Sequence, residues 1–135
     1  MKVISPQKLE EILAEHKKWL AGTGHKRANL SGTDLSGMDL SGVNLHNSNL
    51  SGADLSEALL SKANLSGALL SRANLHGSNL SGANLCYVNL SGADLSYANL
   101  CNADLAGARL SKANLSGAIL KNADLYHVNL SDADL

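Results

Sequence analysis

From Leu30 to Leu135 a leucine falls on every fifth residue, 22 in succession without a slip. A strict internal period takes precedence over local propensity, because each unit must then be one structural step. On an α-helix, at about 100° per residue, a spacing of five sets each leucine about 140° round from the last, so no face collects them. The other positions suit an extended chain. Two residues before the leucine, 15 of 22 units have Ala and three more have Thr33, Ser48 or Ser78, leaving Met38, Val43, Val88 and Val128 as the larger residues. Asn or Asp stands one residue before it in 18 of 22, and Ser-Gly is the commonest pair after it. In Ala-Asn-Leu the outer two side chains point one way and the middle one the other, and Ser-Gly supplies a bend. Bends of one sense wind the chain into a coil lined by Leu and Ala, whose successive turns pair backbones at about 4.8 Å.

The unit A-[DN]-L-x-x, seen as Ala63-Asn64-Leu65-Ser66-Gly67 and as Ala53-Asp54-Leu55-Ser56-Glu57, resembles the pentapeptide-repeat proteins over residues 28–135. That resemblance implies a right-handed quadrilateral β-helix with four units to a coil, a number of sides that the period alone does not give. The expected fold class is an all-β solenoid, with residues 1–27 forming an N-terminal amphipathic capping α-helix and linker and 28–135 the β-helix. At the strand spacing, the tract makes a rod on the order of 26 Å long.

Ser5-Pro6 is a helix start, with Ser as N-cap and Pro in the first turn. Leu9, Ile12, Leu13, His16, Trp19 and Leu20 then recur at spacings of three and four, predicting an amphipathic helix that stops near Gly22. Glu10, Glu11 and Glu15 are expected towards its positive end and Lys17 and Lys18 towards its negative end. The first coil of a β-helix has an open backbone edge and exposed leucines, which invite association unless covered. Leu9, Ile12, Leu13, Trp19 and Leu20 are the candidate covering residues, and Met38 and Val43 are large enough to fill the joint.

No helix or charged tail follows Leu135 in this sequence, so Leu120, Leu125, Leu130 and Leu135 are expected to face water at the far end. A homodimer through this C-terminal end is the expected assembly, closing symmetrically in preference to an open stack. Several members of the resembled family dimerise at one end of the rod, which implies the same.

Stacking the tract at the four-unit coil gives outward columns. One reads Asp34, Asp54, Asn74, Asp94, Asn114, Asp134, an acidic stripe. Some members of the resembled family mimic duplex DNA and bind type II topoisomerases such as gyrase, which makes a DNA-mimic inhibitor or protector of gyrase the alternative reading. Arg72 and Lys112 stand at the coils where Asn replaces the carboxylate, an arrangement expected to relieve like-charge stacking. A second column, Asn44, Asn64, Asn84, Asp104, Asp124, predicts an amide ladder at its Asn end. Leu59, Leu69, Arg109 and Ile119 break the Asn/Asp rule at scattered places and form no single patch.

The formal net charge is −1, against strong direct attraction to nucleic acid. Residues 1–27 hold six cations and three carboxylates, and the repeat tract five and nine. No run approaches the ~18 apolar residues of a membrane span, and Met1-Lys2-Val3-Ile4 meets Ser5-Pro6 without a signal-peptide core, so a cytoplasmic protein without membrane contact is expected. Cys86 and Cys101, three units apart, would fall on different sides of a four-sided coil, beyond disulfide reach. The five histidines do not group at metal-ligand spacing, and Gly22-Thr23-Gly24 lacks the ending of a phosphate loop. No nucleophile-base grouping stands out, and a convex rod offers little water-excluded space. Tyr87, Tyr97 and Tyr126 take turn positions where they could anchor a partner. The sequence therefore reads as a non-catalytic, cofactor-free structural or protein-interaction module whose protein partner is unknown.

Overall fold

The structure, a computed structural model, describes residues 1–135. Parallel bridges join each residue of the outward columns to the one 20 positions on, from Asn29 with Asn49 through to Asn114 with Asp134. Four five-residue units therefore complete one coil. The first side begins with Ala28–Leu30, the second with Thr33–Leu35, the third with Met38–Leu40 and the fourth with Val43–Leu45, and each recurs every 20 residues.

Three hydrogen bonds per unit join neighbouring coils, two along the side and one at the corner, where the N–H of Gly32 donates to the carbonyl of Ser51 at 2.9 Å. The N–H of Leu30 donates to the carbonyl of Asn49 at 2.7 Å, and the N–H of Asn49 donates to the carbonyl of Ala28 at 3.0 Å. Inside, the leucines from Leu45 to Leu110 are almost completely buried, with Ala between them where space is short. Ser48 and Ser78 occupy Ala positions and are satisfied there, donating their hydroxyls to the carbonyls of Leu45 and Leu75 at 2.6 and 2.8 Å.

Each corner is a four-residue turn closed by a bond such as Thr33 N–H to the Leu30 carbonyl at 3.2 Å. Its third residue has a positive φ at every corner, as a type II turn requires. Glycine fills only some of these places. Glu57, Lys62, Arg72, Tyr87 and Tyr97 are among 11 non-glycine residues held between +56 and +61°. Each accepts roughly 1 kcal/mol of strain, which the ladder on both sides of the turn imposes.

The N-terminal segment closes the first coil in two ways. Strand β1 (Lys2–Val3) pairs in parallel with β2 (Thr33–Asp34), Lys2 opposite Thr33, and so covers the second side. The sequence had given no sign of this strand. Helix α1 (Pro6–Leu20) starts at Ser5, whose hydroxyl accepts from Lys8 N–H at 3.1 Å, and lies across the third and fourth sides. Leu9 is buried in the common core, Ile12 and Leu13 pack against it, and Leu13 borders both Met38 and Val43. Leu20 lies beside Gly42 and Val43, while Trp19 stacks on His16 with ring centroids 5.4 Å apart. The helix charges differ from expectation at one end. Lys17 and Lys18 lie in the last turn, but the first turn is free of acid and Glu15 sits in the C-terminal half, paired with Lys18 at 3.2 Å. The chain leaves α1 through Gly22, φ +76°, and passes so close to the helix at Gly24 that a Cβ there would stand 2.7 Å from the Cβ of Lys18.

At the other end the coil opens. Leu120 and Leu130 are half-buried, Leu125 is 40% and Leu135 76% exposed. The N–H groups of Leu120, Leu125 and Leu130 have no backbone partner.

Candidate functional site

The second side carries the acidic stripe, and its carboxylates are bound into the turns. Asp34 Oδ1 accepts the N–H and the hydroxyl of Ser36 at 3.0 and 2.7 Å, and Asp54 and Asp94 treat Ser56 and Ser96 alike. The Ser36 hydroxyl, then its amide, hold Asp34 below the ordinary carboxylate range. At Asp94, burial works the other way, but the hydroxyl and amide of Ser96 outweigh it and the pKa is again lowered. Asp134 lies in the open last coil.

Relief of like-charge stacking comes from a different source than the cations. The side-chain amide of Asn74 donates to Asp54 Oδ1 at 3.2 Å, and that of Asn114 donates to Asp94 Oδ1 at 3.4 Å. Arg72 and Lys112 make no ion pair, since both salt bridges of the protein lie within α1. The amide in the same column is nearer than a flexible cation at the corner. The expected ladder on the fourth side is also replaced by turn bonds, in which Asn44, Asn84 and Asp104 each accept the N–H two residues on.

The four sides differ in charge. The second holds Asp34, Asp54, Asp94 and Asp134, the fourth Asp104 and Asp124, and the third Asp39. The first has no carboxylate: its outward column is Asn29, Asn49, Leu69, Asn89, Arg109, Asn129. At its base, Lys8, Lys26 and Arg27 line a groove floored by Asn29 and Asn49. Sequence reasoning followed the acidic column and passed over this one, although the same stacking would have revealed it.

The diagonal corners carry the aromatic and histidine side chains. Tyr87 lies over Gly107 and Tyr97 over Gly117, where a Cβ would stand 2.6 and 2.7 Å from their ring carbons. His76 meets the Ser96 hydroxyl at 2.9 Å and the edge of Tyr97 at 5.7 Å between centroids. Ser96 already donates to Asp94, so the imidazole holds this hydroxyl in a relay that lacks the nucleophile-to-base arrangement of a hydrolase. Cys86 and Cys101 sit at different corners and are unpaired. The Cys86 thiol is pushed up to about 11, by burial first and then by Asp104. No three His, Cys, Asp or Glu side chains converge as metal ligands, and no helix is long and apolar enough to cross a membrane.

The sequence profile of pentapeptide repeats matches in 8 copies, over residues 26–61, 48–86, 87–122 and 98–135. The chain belongs to the pentapeptide-repeat family. Members of this family fold as right-handed quadrilateral β-helices, generally structural rather than enzymatic. Among solved structures, trypsin-treated QnrB1, a plasmid-mediated fluoroquinolone resistance protein, is similar at 27% identity and a TM-score of 0.75 over 82% of this chain. The present chain spans only 56% of that structure. The pentapeptide-repeat protein alr5209 from Nostoc PCC 7120 is similar at 34% identity and a TM-score of 0.58, covering 96% of this chain and 97% of its own. Rfr23, from the cyanobacterium Cyanothece 51142, is similar at 32% identity and 0.54, covering 78% and 82%. Curated protein sequences give no match.

Proposed function

We propose that this pentapeptide-repeat protein is a rigid, non-catalytic rod that works by binding protein, and that it assembles as a homodimer through its C-terminal coil. The contrast between the two ends carries the reading. One end is closed by β1 and α1, while the other presents Leu125, Leu130 and Leu135 with unpaired backbone. Each open segment of that edge offers both donors and an acceptor, as with the N–H groups of Leu120 and Asn122 and the Ala118 carbonyl. Such an edge is complementary to a copy of itself across a two-fold axis. Sedimentation at tens of micromolar should give a dimer, and Leu125→Asp should give a monomer with an unchanged circular dichroism spectrum. A wild-type monomer throughout 1–100 μM would exclude this assembly.

Likeness to QnrB1 supports a second reading, binding to a type II topoisomerase by DNA mimicry. The second side speaks against it. Its carboxylates are spaced apart by Asn74 and Asn114 and are engaged in the turns, whereas phosphate mimicry needs dense free charge. A gyrase supercoiling assay tests it directly, and inhibition or protection by the purified protein would put this reading first.

A further inference from the structure

We propose that the first side of the coil is a binding strip for an acidic, extended polypeptide segment. The inference rests on the protein-binding reading above and specifies its surface and the chemistry of its partner.

The strip offers hydrogen-bond donors almost alone. Asn29, Asn49, Asn89 and Asn129 each spend Oδ1 on the N–H two residues ahead, at 3.0 to 3.2 Å. That bond fixes the orientation of the amide and turns Nδ2 outward, where it makes no bond within the protein. Four NH₂ groups thus stand along one face, each beside an amide oxygen that already accepts a backbone N–H. Leu69 is the apolar interruption, and Arg109 continues the row with a guanidinium.

Cations reinforce the donors. Arg72 and Lys112 stand on the bounding corner two coils apart, about 10 Å at the strand spacing. Neither pairs with the acids of the second side, so both are available to the first. Lys8, Lys26 and Arg27 extend the positive surface beyond the first coil. Lys26 and Arg27 make no salt bridge, and Lys8 reaches only Glu11, at 3.6 Å on the exposed helix face. Of the residues on the two bounding corners, only Asp132 in the last coil is acidic. A surface of donors without carboxylates selects partners rich in acceptors and negative charge.

The width of the strip decides between classes of polyanion. Carboxylates begin one corner away on both flanks, at Asp54 and Asp94 on one and Asp104 and Asp124 on the other. A duplex, broader than one side, would press its phosphates against them. A single nucleic-acid strand binds by stacking its bases on aromatic faces. The outward column contains no aromatic residue; on the bounding corner Tyr87 is folded over Gly107, and Tyr126 stands against His127 in the last coil alone, so no row of aromatic faces follows the strip. An extended polypeptide is one strand wide and carries carboxylates on alternate residues, about 6.8 Å apart, within reach of successive coils.

Fluorescence anisotropy with labelled deca-glutamate tests the strip. At 50 mM salt the wild-type protein should bind the peptide, and 300 mM salt should weaken binding at least fivefold. The exposed triple variant Arg72→Glu, Arg109→Glu, Lys112→Glu should lose at least tenfold in affinity. Lys62→Glu with Lys121→Glu, at the diagonally opposite corner, should stay within twofold of wild type. Circular dichroism and sedimentation of both variants show that fold and assembly are retained. The assignment is overturned if deca-glutamate does not bind, if the two variants weaken it equally, or if oligo-dT of ten nucleotides binds more tightly than the peptide. Loss of the strip with the dimer intact would leave the protein-binding reading standing, and loss of the dimer with the strip intact would remove only the C-terminal interface.

Discussion

Nδ1 of His16, a completely buried residue of α1, accepts the backbone N–H of Ala28 at 3.0 Å, joining the helix to the first residue of the β-helix. That bond fixes the neutral tautomer with its proton on Nε2, which is buried without a hydrogen-bond partner. Burial holds the His16 pKa below the ordinary imidazole value, and the charges of His46 and Arg27 add to this against an opposing pull from the His46 backbone. A proton on Nδ1 would set two donors against each other. Above about pH 6.5 the ring is neutral in both folded and unfolded chains, and its contribution is complete. As the pH falls further, the unfolded chain takes up the proton first, so stability drops by at most about 1.4 kcal/mol per pH unit down to the folded pKa. His16→Gln keeps an acceptor and removes the titration. Urea midpoints at pH 7.5 and 5.5 should differ more for wild type than for this variant.

Backbone strain at the corners predicts opposite signs for two substitutions in one column. Arg72 holds a φ of +58°, and replacing it by glycine relieves about 1 kcal/mol, partly offset by the greater freedom of glycine in the unfolded chain. Arg72→Gly should therefore raise the denaturation midpoint slightly. Gly52, at φ +66°, has open space where a Cβ would stand, so Gly52→Ala tests strain without a clash and should cost about 1 kcal/mol. Urea titration of both variants against wild type reads the pair.

The coil itself was legible in the sequence because Leu and Ala alternate with Asn and a bend recurs every fifth residue, although its four sides followed from the family resemblance and not from the period. The strand that shares in its closure was not legible. Lys2–Val3 is too short to show alternation, and its partner Thr33–Asp34 lies 31 residues away, so nothing local announces the pairing. His16 read as one more member of the helical face, since sequence cannot show that its ring meets a backbone donor from the first coil. The acidic column was plain, but its partners were misjudged. Opposite charge pointed to Arg72, whereas geometry gives the contact to Asn74, whose amide lies directly above Asp54.

Asn74 consequently separates two carboxylates. Asn74→Asp would remove its bond to Asp54 and stack three acids at adjacent coils. At a spacing near 5 Å each new contact costs up to about 1 kcal/mol at the solvent-exposed edge, and salt screens it. The variant should be destabilised by about 1–2 kcal/mol at 20 mM salt and recover much of this at 1 M. Thermal midpoints across a salt series measure the recovery.

Cys86 should be slow to react. Burial and the neighbouring Asp104 carboxylate oppose formation of the thiolate, the reactive species, and set its pKa at about 11. In a Cys101→Ser background, alkylation by iodoacetamide at pH 8 should run well below that of free cysteine. Its rate should climb towards pH 11 as long as the fold persists. Asp104→Asn should move that climb to lower pH.

Position along the rod should set the cost of losing a leucine. Leu80 is completely buried between coils above and below, so Leu80→Ala removes apolar contacts on both sides and leaves a cavity that the ladder cannot collapse. A loss of about 3 kcal/mol is expected, within the range for buried leucines. Leu135 is 76% exposed and has a coil on one side only, so Leu135→Ala should cost the monomer less than about 1 kcal/mol. Because each coil touches only its neighbours, a central defect weakens two interfaces and a terminal one weakens a single edge. The dimer changes this comparison in a measurable way. If the C-terminal coils pair, Leu135→Ala becomes a core substitution at high protein concentration, and its effect on the thermal midpoint should grow as the protein is concentrated from 1 to 100 μM. The effect of Leu80→Ala, inside one protomer, should stay constant over the same range.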